Sequence, residues 1–184
     1  MKLRSVLGLL PALLSLNTEA SMKDDSIWLL VETAPHVLKV MEGDHDLEVF
    51  ERIALGRRGV GLFKERGDYK TPLGEYHIGW INENSRYHKF FGFTYPNREN
   101  AERAFTTGLI GPDTYRTILR TSIGAAIPPQ NTVLGGQIGI HGLGRANLAV
   151  HEFFDWTQGC IAMTNEQIDR LSTWVKKGTL VVIR

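Results

Sequence analysis

The strongest constraint on this chain is its succession of short apolar runs broken by turn residues. Ile27-Trp28-Leu29-Leu30-Val31 and Val37-Leu38-Lys39-Val40 flank the turn Ala34-Pro35-His36. Gly43-Asp44 marks the next turn, and Leu47, Val49 and Arg52 to Leu55 continue the pattern. Turn signals recurring every 8–12 residues or so, between runs too short for a helix, read as the strands of a mostly β domain. The expected fold is therefore β-rich α+β, a small sandwich or barrel-like domain. Helices enter late. Arg98 to Thr107 reads as one, and a second opens near Pro112, whose fixed φ suits a first helical turn, and runs toward Ile123. This helical insertion, about residues 97–129, reads either as a flap beside a site or as a cover for a sheet edge. Thr164 with Gln167 three positions on forms a capping box, and Ile168, Leu171, Trp174 and Val175 recur at helical spacing. The pattern predicts a helix over 164–177 and a closing strand over 179–183. Before them, Val133 to Ile140 reads as a strand that delivers His141 at its end, and Leu143 to Asp155 as a spacer loop.

Residues 1–20 have the form of an export signal. Lys2 and Arg4 precede an apolar core from Val6 to Leu16, and Thr18-Glu19-Ala20 supplies a small-residue cleavage site. The core falls short of the roughly 20 residues that cross a bilayer, so no stable membrane anchor is expected after cleavage. Residues 21–184 suit one domain. Twenty-one Lys and Arg against 20 Asp and Glu leave a net charge of +1, without the basic excess that nucleic acid demands. Gly56-Arg57-Arg58-Gly59-Val60-Gly61 is glycine-rich and basic, yet it lacks the Gly-Lys-Ser/Thr ending of a phosphate-binding loop.

Cys160 is the one cysteine in the chain. A thiol becomes a nucleophile when a base or cation brings its pKa down from about 8.5, and when backbone N–H groups can hold the oxyanion. His141, 19 positions earlier, offers the base, and the turn Gln158-Gly159-Cys160 offers the amides. Gly159 removes a Cβ that would block an approaching carbonyl. A lone cysteine beside Ile161 equally suits a small buried hydrophobe. An unpaired thiol in an exported chain is nonetheless notable, because oxidising compartments favour pairs. A metal centre built from His141, His151 and Cys160 lacks any tight ligand spacing, so no metal is expected. Arg86, Tyr87 and His88 precede the aromatic stretch Phe90 to Tyr95. They read as plain surface or as groups that bind a carboxylate or amide of a peptide.

His141-Gly142 and then, after 15 intervening positions counted from the His, Thr157-Gln158-Gly159-Cys160-Ile161 resemble the signature of the L,D-transpeptidase catalytic domain, the YkuD family. Thr71-Pro72-Leu73-Gly74-Glu75-Tyr76 resembles that family's second recurrent stretch. Gln158 stands where the box carries histidine, and Ala162 where an arginine is common. The Gly-Cys-Ile-Ala-Met form is similar to a branch for which hydrolysis of cell-wall peptides is an alternative to transfer. The resemblance spans roughly residues 26–184 and implies a β-rich fold, peptidoglycan stem peptides as substrate, acylation by carbapenems, no cofactor, and the periplasm or cell envelope as location. It further implies Cys160 as nucleophile, His141 as base and then acid, the Gly142 carbonyl orienting the ring, Gly159 supplying an oxyanion N–H, and Thr157 bracing the loop. Gln158, Arg86, Tyr87 and His88 are expected to face substrate. Three readings follow: acyl transfer to an amine, hydrolysis (an L,D-carboxypeptidase, or release of wall-attached protein), and a non-catalytic wall-binding domain.

Overall fold

Alternating burial builds the strands. In Val37–Glu42, Leu38 and Val40 are fully buried while Lys39 between them reaches toward solvent, the period of two that a half-buried strand requires. The computed structural model describes residues 26–123 and 126–184; the expected export signal lies outside the described residues. In chain order the elements are β1 (Ile27–Glu32), β2 (Val37–Glu42), β3 (His45–Glu51), β4 (Val60–Gly61), β5 (Thr71–Pro72), β6 (Gly74–Ser85) and β7 (His88–Phe93). Then follow α1 (Arg98–Thr106), α2 (Pro112–Ile123), β8 (Gly139–His141), α3 (Leu148–Phe153), β9 (Ile161–Ala162), α4 (Asn165–Leu171) and β10 (Leu180–Ile183).

Eight strands form one mixed sheet in the order β3-β2-β1-β10-β6-β7-β8-β9, while β4 and β5 pair separately. The contacts β1–β10 and β8–β9 are parallel. The sheet's two ends are tied together by the segment that leaves β3. Ala54 and Ala162 exchange N–H···O bonds of 3.0 and 2.8 Å, and the Arg57 N–H reaches the Thr157 carbonyl at 3.0 Å. This closure gives the barrel-like character and covers the free edge of β9, which would otherwise invite pairing with another chain.

The enclosed core contains Leu29, Leu38, Phe50, Tyr76, Phe91, Phe93, Tyr95, Ile140, Ile161 and Ile168. Ala101 and Ala104 of α1 and Ile118 of α2 pack onto it, and the Tyr76 hydroxyl reaches Asn100 Oδ1 at 3.4 Å. The helical insertion thus covers the sheet.

Three boundaries differ from the sequence reading. The strand expected over 133–140 contracts to β8. Gly135 (φ +82°) and Gln137 (φ +56°) adopt left-handed conformations, and the Gly135 N–H turns back to the Thr132 carbonyl at 3.0 Å. The helix expected over 164–177 starts as the capping box dictates, with Thr164 and Gln167 bonded reciprocally at 3.1 and 2.9 Å, but ends at Leu171. There the Ser172 and Thr173 hydroxyls take the carbonyls of Asp169 and Arg170, competing with helix continuation. The spacer after Leu143 is not all loop, for Asn147 caps α3 within it by accepting the Ala149 N–H at 2.8 Å.

Candidate active site

Register brings the two principal residues to one face. His141 on β8 pairs with Ala162 on β9, and Cys160 precedes Ala162 by two residues. Side chains two apart share a face, so Cys160 lies diagonally across from His141, a separation of about 7–8 Å between Cα atoms in a regular sheet. Both line a cleft of about 610 Å³, together with Arg86, Tyr87, Thr157 and Gln158. Its wall also includes Trp80, Phe90 and Trp156, and three cations, Lys64, Arg66 and Arg86, with no carboxylate among its lining residues. Among the described residues, none of α1 or α2 lines it.

His141 is almost wholly buried in an aromatic box. Tyr87 stacks on it at 4.3 Å between ring centres, Phe90 lies beyond at 6.4 Å, and Trp156 meets its edge at 5.8 Å. Its Nδ1 stands 2.7 Å from the Gly142 carbonyl. A carbonyl only accepts, so Nδ1 carries the proton and Nε2 is left bare as a base. Burial pulls the imidazole down to about 4. The Gly142 bond opposes that fall, while His151 and Arg86 add to it.

Cys160 keeps some surface on the cleft, and the protein packed around it desolvates a thiolate. Burial pushes the thiol up to about 11, against the opposing influence of the Gly139 backbone and the Lys64 ammonium. Its Sγ lies 3.4 Å from the Gln137 carbonyl. The sequence reading has His141 lowering the thiol pKa. Desolvation dominates instead, and at neutral pH both partners rest uncharged.

Thr157 organises the turn. Its hydroxyl donates to the Cys160 carbonyl at 2.6 Å and accepts the Gly159 N–H at 3.0 Å. The Gly159 N–H, expected to hold the oxyanion, is bonded inside the loop in this structure. The Cys160 N–H makes no hydrogen bond among the described residues, which leaves it free to donate into the cleft. Gly159 itself sits at φ +127°, where a side chain is strained and a Cβ would stand 2.6 Å from the Lys70 carbonyl. His88 does not line the cleft. Its Nε2 lies 2.9 Å from both carboxylate oxygens of Asp169. Arg86 donates to the Tyr87 hydroxyl at 2.7 Å, which holds the guanidinium over the ring that stacks on His141.

Sequence reasoning missed Lys64, Asp68, Gln137 and Trp156. Lys64 and Asp68 have the i, i+4 spacing of an ion pair, but no local signal connects them with a cysteine 92 or more residues away. Among the described residues no group of three His, Cys, Asp or Glu side chains could hold a metal ion.

The class defined by fold and site is a barrel-like β domain with a thiol and an imidazole in one aromatic, cationic cleft. The model of the YkuD family, the L,D-transpeptidase catalytic domain, matches residues 26–183, and the chain belongs to that family. No curated protein matches its sequence. Among solved structures it is similar to the helical cell shape determining protein Pgp2 from Campylobacter jejuni, at 23% identity and TM-score 0.58, over 86% of this chain and 47% of that one. Bd1075 from Bdellovibrio bacteriovorus matches at 18% identity and TM-score 0.56, over 87% and 48% of the two chains. An L,D-transpeptidase from Xylanimonas cellulosilytica matches at 12% identity and TM-score 0.50, over 89% and 62%. At these identities the likeness is one of fold. The chain spans about half the length of the Campylobacter and Bdellovibrio proteins.

Proposed function

We propose that this protein is a cysteine acyltransferase of the bacterial periplasm that acts on peptidoglycan stem peptides through a thioester. The observation that carries the reading is the shared cleft of Cys160 and His141, walled by three cations and no carboxylate. Such a wall favours a substrate bearing carboxylates, as peptides with free carboxyl ends do.

The uncharged resting pair makes deprotonation part of the attack. As Sγ approaches the peptide carbonyl carbon, its proton passes to His141 Nε2, while Nδ1–H stays on the Gly142 carbonyl. The Cys160 N–H meets the developing oxyanion, and one such donor is worth about 3 kcal/mol in comparable sites. The C–N bond then breaks, His141 returns the proton to the departing amine, and a thioester remains. An incoming amine regenerates the thiol with a new amide bond, and water regenerates it with a free acid. Thr157 holds the turn, and Arg86 and Gln158 face the bound peptide. The same thiol would be acylated by a carbapenem, whose ring opens onto Sγ.

Incubation with tetrapeptide muropeptides, followed by mass spectrometry, tests the proposal. New amide bonds indicate transfer and trimmed peptides indicate hydrolysis, each lost in Cys160→Ala. No product from folded protein, or product that survives Cys160→Ala, overturns it in favour of a wall-binding domain.

A further inference from the structure

Lys64, in the loop after β4, is a buried lysine that the chemistry above leaves without a part. Its side chain is 3% exposed, and its Nζ lies 2.8 Å from Asp68 Oδ1 and 3.4 Å from the Gln158 carbonyl. An ammonium is rarely buried unless paired. Asp68 is fixed in turn, because its carboxylate accepts the Glu65 N–H at 2.9 Å and the Lys70 N–H at 3.0 Å. The ion pair therefore has a set direction, with its positive end against the turn that carries Cys160. A Cβ built on Gly159 would stand only 2.9 Å from Nζ, so glycine makes room for the ammonium as well as for the turn.

We infer that Lys64 is a positioning residue for Cys160: its ammonium clamps the Gln158 carbonyl and supplies the positive potential that a thiolate and the oxyanion of the attack require. The inference rests on Cys160 being the nucleophile. It also answers the energetic difficulty of the site, since burial works against sulfur ionisation and a fixed cation within a low-dielectric wall is the direct remedy. The other charged or titratable groups facing Cys160 are few. His141 faces it from β8, Arg86 from the loop after β6, and Arg66 from the same loop as Lys64. His151 on α3 lies outside the cleft lining and accepts the Trp156 Nε1–H at its Nδ1 at 3.4 Å. Among the described residues, the carboxylate paired with Lys64 is Asp68, one step removed from the sulfur.

The two partners act on the sulfur with opposite signs, and this gives the test. The rate of Cys160 alkylation by iodoacetamide is measured from pH 7 to 9 in the full chain. Lys64→Met removes the cation and so raises the thiol pKa and leaves less thiolate. The greater intrinsic nucleophilicity of the remaining thiolate offsets part of this, so for a tenfold loss of thiolate alkylation slows about threefold. Asp68→Asn removes the neutralising carboxylate and speeds alkylation. A purely structural role for the pair would move both variants the same way, since loosening the loop exposes the thiol in each. Rates that move together, or a folded Lys64→Met with an unchanged rate, overturn the inference. Should Lys64→Met fail to fold, Asp68→Asn decides alone: faster alkylation supports the inference, and slower or unchanged alkylation overturns it. None of these readings needs turnover of a muropeptide, so a failure of the inference is distinguishable from a failure of the proposed function.

Discussion

The burial of His141 predicts a stability change that pH will reveal. The imidazole falls from its ordinary 6.5 to about 4 on folding. A base with a depressed folded pKa binds more protons when unfolded, so acid favours unfolding. The full stability is present above pH 6.5 and is lost as the pH falls toward 4. Because the ring is almost wholly buried, solvent screening reduces the effect little. The 2.5-unit difference, taken through proton linkage, amounts to about 2 kcal/mol at pH 5 and about 3 kcal/mol at pH 4, relative to pH 7.5. His141→Asn removes the titrating group and keeps a side chain able to donate to the Gly142 carbonyl. Urea denaturation of both proteins between pH 4 and 7.5 isolates the effect, because the remaining ionisable groups, His151 included, are common to both. The wild type loses about 3 kcal/mol relative to the variant across that range. A constant difference between the two curves would refute the claim that burial governs this imidazole, and with it the uncharged resting pair.

Further outcomes follow from individual contacts. Thr157→Val keeps the shape but strands the Gly159 N–H and the Cys160 carbonyl, at about 1–3 kcal/mol each. At roughly 2–4 °C per kcal/mol for a chain of this size, scanning calorimetry should register a Tm fall of order 10 °C, and Thr157→Ser should restore most of it. Gly144→Ala places a Cβ 2.2 Å from the Arg86 carbonyl at φ +61°, so the loop carrying Tyr87 must shift away from His141. A loss of about 2–4 kcal/mol in chemical denaturation, from backbone strain and overpacking, is expected. His88→Gln breaks only an exposed pair with Asp169, so stability changes by less than about 1 kcal/mol. The rate of Cys160 alkylation in that variant stays as in the wild type, and a large change would bring His88 back to the cleft.

Much of the fold is written in local patterns. The alternation in β2, the proline that opens α2 and the reciprocal Thr164–Gln167 cap are short-range effects, and each reads directly from neighbouring residues. Sheet order is a different matter. Nothing in Leu180–Ile183 says that this strand lies between β1 and β6, because the choice depends on which apolar faces complete the core. The strand expected before His141 failed at Gln137, a residue type that seldom takes a left-handed conformation. It does so here because Gln130 accepts the Gln137 N–H at 2.7 Å from across the loop. In the site, the spacing of His141 and Cys160 is visible at once, and register explains how such a spacing joins two adjacent strands. Protonation is not visible, because desolvation is a property of everything packed around a group. Nor is the commitment of the Gly159 N–H, which depends on the rotamer of one threonine, or the reach of Lys64 to a carbonyl 94 positions away.

β10 sits in the middle of the sheet although every other strand precedes it in sequence. Before it docks, the meander β1–β3 and the group β6–β9 have no shared ladder, and what ties them is a set of isolated long-range bonds, among them those between the 54–57 segment and the cysteine loop. Assembly of this kind is governed by distant partners and is slow. Meanwhile the sulfur remains an ordinary, solvated thiol with neither a base nor a cation at hand. A chain cut before residue 180 would therefore carry the thiol and the imidazole without the ladder that joins the two halves of the sheet around them.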